Sequence, residues 1–495
     1  MHVHLIGIGG SGLSAIARLL LESGYEVSGS DRLLSPLAEG LRRDGVPINI
    51  GHDPQNIDGA DVVVRSSAVP DDNSEVRAAL ARGVPVLKRA DFLGHLMENR
   101  RGIAVAGTHG KTTTTAMIAW ILVATGQDPS YIIGGVPRNL AVNAHHGQGQ
   151  AFVIEADEYD RMFLGLRPEI AVVTTIEHDH PDCFPTAEDF RQAFQDFADL
   201  LPSEGVLVAC ADDPGARELL EARSARGANT LSYGTGKNTG TAIDYLARDP
   251  QLNGKGGASF DVFKAGRRLA HVSLQIAGRH NLLNALAALA VADVLGLQPE
   301  EAARALERFQ GTGRRFDLRG EAGGIAVIDD YAHHPTEIRA TLAAARDRYP
   351  GRQIWAVWQP HTYTRTRLLF EGFKNAFEEA DHVIVTEVYA ARETPPGDFS
   401  ARQIVQVMAH PDARFAANLK EASEQLIDRV KPGDVVLVLS AGDADQVSAR
   451  LLSALRARDT GGDPGGSSGG VSGGVSGSIS GGNSDVLQDG HYLVR

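Results

Sequence analysis

The chain has 495 residues, 43% of them hydrophobic, and a formal net charge of −14. That length can bury two or three cores, and the excess of acid argues against a general nucleic-acid binder while leaving room for a local basic pocket for an anionic substrate. No apolar run is long enough to cross a bilayer, no secretory signal opens the sequence, and two cysteines, Cys183 and Cys210, make no disulfide framework, so a reducing cytoplasmic setting is expected.

The stretch VHLIGIGGSGLSAIARLLLESGYEVSGSD predicts a strand, the turn Gly7-Ile8-Gly9-Gly10-Ser11-Gly12, an amphipathic helix and a second strand ending in Asp31. Taken alone this is a dinucleotide pattern, yet any ligand with a pyrophosphate can use the same helix N-terminus. Apolar segments 61–65 and 84–87 follow, ending in Ser66-Ser67-Ala68 and Arg89-Ala90-Asp91, where an open parallel sheet binds its ligand. Ser66, Ser67 and Asp91 would serve equally well as helix caps.

Residues 102–119, GIAVAGTHGKTTTTAMIA, predict a short apolar strand, the loop Gly107-Thr108-His109-Gly110-Lys111-Thr112-Thr113, and a helix. Glycines let backbone N–H groups turn toward phosphate oxygens, Lys111 neutralises β/γ charge, and the Thr112 hydroxyl suits Mg²⁺. Val105 stands where the usual phosphate loop has glycine, so this is a shorter GTxGKT variant.

Strands and helices alternate up to about residue 311. Segment 151–154 runs into Glu155-Ala156-Asp157-Glu158, and segment 170–175 into Ile176-Glu177-His178-Asp179-His180. Acids and histidines at strand ends beside a phosphate loop are where metal and γ-phosphate contacts fall, and Glu155 is the leading candidate. The run HDHPDC has no second ligand pair spaced for zinc, so one of its histidines is expected to serve Mg²⁺ or a phosphate. Gly278-Arg279-His280-Asn281 then opens an alanine-rich helix with Asn281 and Asn284 on one face. Asn281 either caps that helix or, as donor and acceptor, reads an adenine edge.

A third unit starts near Thr312. FQGTGRRF combines a Gly-rich hinge with two arginines, strand 326–330 leads to Tyr331-Ala332-His333-His334-Pro335-Thr336-Glu337, and strand 354–358 leads to QPHTYTRTR. Arginines there are poised for carboxylates or phosphates, or simply begin a surface helix. Strands at 383–386 and 435–439 complete an α/β pattern. From Asp459 the composition collapses into Gly and Ser, which predicts a disordered tail whose end, DVLQDGHYLVR, is a docking peptide or equally unstructured.

In order and over roughly residues 1–455, GTHGKTTTT, EADEYD, EHDHPD, GRHNLLN, GTGRRFD, DDYAHHPTE and QPHTYTRTR resemble the Mur ligases of peptidoglycan synthesis, in the branch that joins L-alanine to UDP-N-acetylmuramate. The resemblance implies a three-domain α/β architecture. A Rossmann-like N-terminal domain (1–98) would hold the UDP-sugar, a P-loop ATPase-type central domain (99–312) ATP, and a Rossmann-like C-terminal domain (313–458) the amino acid, ahead of the tail (459–495). Carried over by motif, Gly9, Gly10, Ser11, Gly12, Asp31, Ser66, Ser67, Ala68 and Arg89 would meet the UDP-sugar. The loop from Gly107 to Thr113, Asn281, Asn284, Arg315 and Asp330 would meet ATP. Thr112, Glu155 and His180 would support Mg²⁺, with Mn²⁺ able to replace it, and Lys111, Glu155 and His180 would be catalytic. Tyr331, His333 and Arg365 would surround L-alanine. The implied enzyme is a cytoplasmic monomer or homodimer with no nucleic-acid or membrane partner. Thr175 and Thr362 stand where many relatives have asparagine and some have arginine, so contacts at those positions are not carried over.

Two rivals remain. A murein-tripeptide recycling ligase shares GTHGKTTT, EADEYD and AHHPT, whereas GTGRRF and QPHTYTRTR favour the alanine enzyme. An NAD-dependent dehydrogenase would use Gly7 to Asp31 but leaves the phosphate loop unexplained.

Overall fold

The computed structural model describes residues 1–237 and 242–460; the Gly/Ser-rich tail lies outside the described residues. Strands among the described residues form three sheets of five, ten and six. The first is all parallel, in the order Ile48–Ile50, Glu26–Asp31, His2–Ile6, Val62–Arg65, Val86–Lys88. Between its first two chain segments runs the helix Ser11–Glu22, which buries Leu13, Ile16, Ala17 and Leu20 at helical spacing.

The second sheet has Arg101–Ala106 at its heart, flanked by Ala151–Glu155 and Ile170–Val173, all three parallel and apolar except for the terminal Arg101 and Glu155. Such strands are buried on both faces, which is why they read as continuous apolar runs rather than alternating ones. The expected alternation of strand and helix fails at both edges, one of which ends in the antiparallel pair Ser130–Ile132 and Ala144–His145. At the other, Tyr245–Leu252, Ala258–Lys264 and Arg267–Ser273 form an antiparallel meander, because short Gly-containing connections at 253–257 and 265–266 leave no chain for crossover helices.

The third sheet is parallel except for its edge strand Asp317–Ala322, which pairs antiparallel with Ile325–Asp330 across a Gly323-Gly324 turn. One core runs through the N-terminal and central sheets without a break, while separate cores cover the two faces of the third sheet. The C-terminal unit is thus joined to the rest by polar contacts, not by a shared apolar interior. No helix among the described residues is long and apolar enough to cross a membrane.

Candidate functional site

The C-terminal ends of the parallel strands from all three sheets face one cleft, where open α/β sheets place their ligands. A cavity of about 660 Å³ is lined by Ser11, Gly12 and Arg89 from the first sheet, Lys111, Thr112, Glu155 and His180 from the second, and Tyr331, His333 and Arg365 from the third. A neighbouring cavity of about 370 Å³ lies over the second half of the phosphate loop, lined by Gly110, Thr113, Asn281, Asn284, Arg315 and Asp330. Arg315 lines both.

The phosphate loop forms as the spacing predicts. Gly110 sits at φ 82° at the start of the helix Lys111–Ala124, where a Cβ would come within 2.6 Å of Asn284 Oδ1. Lys111 Nζ donates to the Gly107 carbonyl (2.6 Å) and to Glu158 (2.9 Å), a carboxylate only 1% exposed. Burial would pull the Lys111 ammonium down, but Glu158 and then Asp157 outweigh it and hold the group above its ordinary range. Thr112 Oγ1 donates to Glu155 Oε1 (3.0 Å), and the Gly134 N–H donates to its other oxygen (2.7 Å). Burial pushes the Glu155 carboxyl up despite these bonds. This pair of hard oxygen ligands lacks a hydrogen-bonded cationic partner and fits a divalent ion of the Mg²⁺ type.

His180 lines the same cavity and shares Glu158 with Lys111. Its Nε2 lies 3.4 Å from Glu158 and its Nδ1 3.2 Å from Arg365 Nη2. Arg365 is not the free fork that a ligand carboxylate would need. Its Nε and Nη2 donate to Asp179 (2.7 and 3.2 Å) across the domain boundary, and both residues are buried. The Thr-Arg-Thr-Arg run does begin a helix, Tyr363–Leu368, and its two arginines part company there: Arg365 turns inward, while Arg367 pairs with Asp398 at the surface. Tyr331 stacks edge-on against His333, with Arg314 and Arg315 over its ring. Burial drops His333 to about 4, so it is neutral near pH 7.

In the N-terminal turn, Asp31 accepts the Gly9 N–H (2.8 Å) and Ser35 Oγ donates to the Gly9 carbonyl (2.8 Å). A dinucleotide site would turn that acid toward a ribose; here it braces the turn. At Gly12 a Cβ would overlap the Arg89 guanidinium, which lies over the start of the helix, 3.5 Å from Asp157, with its Nε buried and unpartnered. An arginine donor at a helix N-terminus is an anion site. The Ser66 hydroxyl accepts from the Ala68 N–H of its own turn while its backbone N–H donates to the Ile6 carbonyl, Ser67 and Ala68 are exposed beside it, and neither serine caps a helix; Asp91 lies in the first turn of Arg89–Leu96.

Asn281 does not cap its helix. The helix starts at His280, so Asn281 is inside its first turn, donating to the Ala277 carbonyl (2.6 Å) and accepting from Asn284 (2.9 Å). Asn284 in turn accepts from Thr114 (3.1 Å). Both line the cavity of about 370 Å³ and brace the phosphate loop from behind. Asp330 accepts the Phe316 and Ala332 N–H groups (2.7 Å each), and burial raises it to about 6.

Sequence reasoning missed Glu158, Glu177, Asp179 and Glu337 as site residues. The first three sat in acid runs with no marker of which member would be buried. Residues of HDHPDC scatter: His178 bonds the Phe184 carbonyl, Asp179 takes Arg365, and Asp182 takes Tyr159 and Arg392. A different trio, His109, Glu177 and His334, brings ligand atoms within 4.8 Å of one another. His109 already fills that place with its own charge, since burial would lower it but Glu177 and Glu337 raise it to about 9.

Residues 2–101 match the Mur ligase family catalytic domain, residues 105–292 the Mur ligase middle domain, and residues 314–442 the Mur ligase glutamate ligase domain. The chain belongs to the Mur ligase family. It is 43% identical over 474 residues to a UDP-N-acetylmuramate–L-alanine ligase of Roseiflexus sp. (strain RS-1), covering 93% of this chain and 100% of that one. Among solved structures it resembles the UDP-N-acetylmuramate-alanine ligase of Thermotoga maritima (TM-score 0.77, 30% identity, 93% and 100% covered). It also resembles a murein peptide ligase of Psychrobacter arcticus 273-4 (TM-score 0.68, 28% identity, 92% and 99% covered).

Proposed function

We propose that this chain joins L-alanine to the lactyl carboxylate of UDP-N-acetylmuramate at the expense of ATP, in the cytoplasmic stage of peptidoglycan synthesis, acting as a monomer or homodimer. The observation that carries this is the single cavity in which an anion site (Gly12, Arg89), a phosphate loop with the acid beside it (Lys111, Thr112, Glu155) and an amino-acid face (Tyr331, His333, Arg365) converge. The relatives' identity over nearly the whole chain supports alanine over a preformed peptide.

A carboxylate is too poor an electrophile for an amine, so ATP first phosphorylates it. The amine then attacks the acyl phosphate, and the tetrahedral intermediate expels phosphate. Lys111 and the loop N–H groups offset repulsion between carboxylate and triphosphate, and Arg89 with the helix N-terminus at Ser11 and Gly12 holds the pyrophosphate. Thr112, Glu155 and His180 would hold Mg²⁺, which would supply charge neutralisation at the transferred phosphoryl group. Arg315 and Asp330 bring the C-terminal unit onto the nucleotide. Arg365, tied to Asp179, fixes the wall that Tyr331 and His333 present to L-alanine.

Phosphate release with UDP-N-acetylmuramate, ATP and a panel of amino acids and peptides tests the reading. L-alanine should give the highest kcat/KM. A preference for a tripeptide would move the chain to the recycling activity, and no release with any acceptor would sink both.

A further inference from the structure

Two carboxylates from different domains meet on one side chain of the phosphate loop. His109 Nε2 lies 3.0 Å from Glu177 Oε2 in the central domain, and Nδ1 lies 3.1 Å from Glu337 Oε1 in the first turn of the C-terminal helix Pro335–Arg348. The second oxygen of each acid continues the network. Glu177 Oε1 accepts from Thr336 Oγ1 of the C-terminal unit (2.9 Å), and Glu337 Oε2 accepts the His333 N–H (3.0 Å). Next to His109 in the loop, Thr108 exchanges hydrogen bonds with the backbone of Glu177 (2.8 and 2.9 Å).

We propose that His109 is a positioning residue that locks the C-terminal domain onto the phosphate loop, so that ordering of the loop and delivery of Arg315, Tyr331 and His333 to the cavity become one event. Both acids are fixed within their own domains, Glu337 by its capping box and Glu177 by Thr108, so a third group must join them. That group needs two donors on opposite sides of a rigid plane, which imidazolium provides and no other side chain does at this size. The two carboxylates outweigh the burial that opposes the charge. Because this boundary has no shared apolar core, polar contacts hold the closed arrangement: beside the His109 clasp, Arg365 meets Asp179, Arg138 meets Asp317, Arg348 donates to the Lys255 carbonyl and Arg392 meets Asp182. The inference rests on the ligase reading for its assay.

The test uses the full chain with His109→Gln and Glu337→Gln, singly and together. Each single variant should lower kcat about 30-fold and raise KM for L-alanine, with the double variant no worse than the poorer single one, since they remove one shared interaction. Affinity for a non-hydrolysable ATP analogue should stay within about threefold, because the loop itself is intact. Small-angle scattering with the analogue and UDP-N-acetylmuramate bound should give a larger radius of gyration than wild type. Analogue affinity falling in step with kcat would make His109 a phosphate ligand instead, and additive losses or unchanged turnover would equally overturn the proposal. If His109→Gln does not fold, Thr336→Val removes the C-terminal bond to Glu177, together with an exposed bond from Arg339 within the same helix. It should raise KM for L-alanine with analogue affinity kept, and an unchanged KM overturns the proposal. Wild-type enzyme without L-alanine-dependent phosphate release would instead overturn the ligase reading.

Discussion

Lys111 carries two jobs in one side chain, and they separate by mutation. Its ammonium serves the transferred phosphate, and it also compensates Glu158, a buried carboxylate with few other partners. Lys111→Ala is therefore expected to lose turnover by about three orders of magnitude and also to lower stability by about 3 kcal/mol, since it strands a buried charge. Lys111→Ala with Glu158→Gln should recover the melting temperature but not the activity. Calorimetry beside phosphate release checks both halves, and a single variant as stable as wild type would disprove the pairing. At Gly12 the crowding partner is the flexible end of Arg89, so Gly12→Ala should fold and displace the guanidinium. KM for the UDP-sugar should then rise about tenfold with KM for ATP unchanged, the loss of one charge-assisted contact. Equal changes in both would show that Arg89 does not serve the sugar nucleotide.

Between elements, the helix His280–Val294 backs the phosphate loop through a chain of amides: Thr114 to Asn284, Asn284 to Asn281, Asn281 to the Ala277 carbonyl. Gly110 exists as glycine because Asn284 leaves no room for a side chain. Asn284→Ala leaves the Thr114 hydroxyl and one Asn281 lone pair without their bonds and opens space behind the loop. A stability loss of about 1–3 kcal/mol and a raised KM for ATP should result. Thermal unfolding and steady-state kinetics with ATP varied decide it; a higher KM at full stability would restore direct adenine recognition for this amide.

Across the whole molecule, the domain clasp is sensitive to alkaline pH. His109 is raised from an ordinary 6.5 to about 9, so the stability it adds is complete below pH 6.5 and lost as pH climbs through 9. Its neighbours do not titrate with it in that window: Glu177 and Glu337 are held below their usual range and stay ionised, whereas His280 and His334 are lowered and stay neutral. Burial raises the Asp213 carboxyl above its ordinary value. The melting-temperature gap between wild type and His109→Gln should shrink from pH 6.5 to 9. A gap that stays constant would mean the clasp carries no such charge.

The sequence by itself determined the chemistry at strand ends. A Gly-bounded loop with Lys-Thr after an apolar strand can do little besides cradle phosphate, and near-continuous apolar strands such as Ile170–Val173 and Val435–Leu439 had to be buried on both faces of a parallel sheet. Local patterning also located the Ile354–Trp358 and Val435–Leu439 strands to the residue. Only tertiary structure decided which polar groups face ligand and which face each other. Nothing local marks that Arg365 meets Asp179, that Glu158 rather than Asp157 is the buried partner of Lys111, or that Asn281 and Asn284 brace the loop from behind. Those pairings join residues 47 to 186 positions apart in some cases and different domains in others, and charge and amide complementarity across a cleft leaves no periodicity in a chain. For the same reason the antiparallel meander from Tyr245 to Ser273 escaped notice: short connections, not residue type, set its direction.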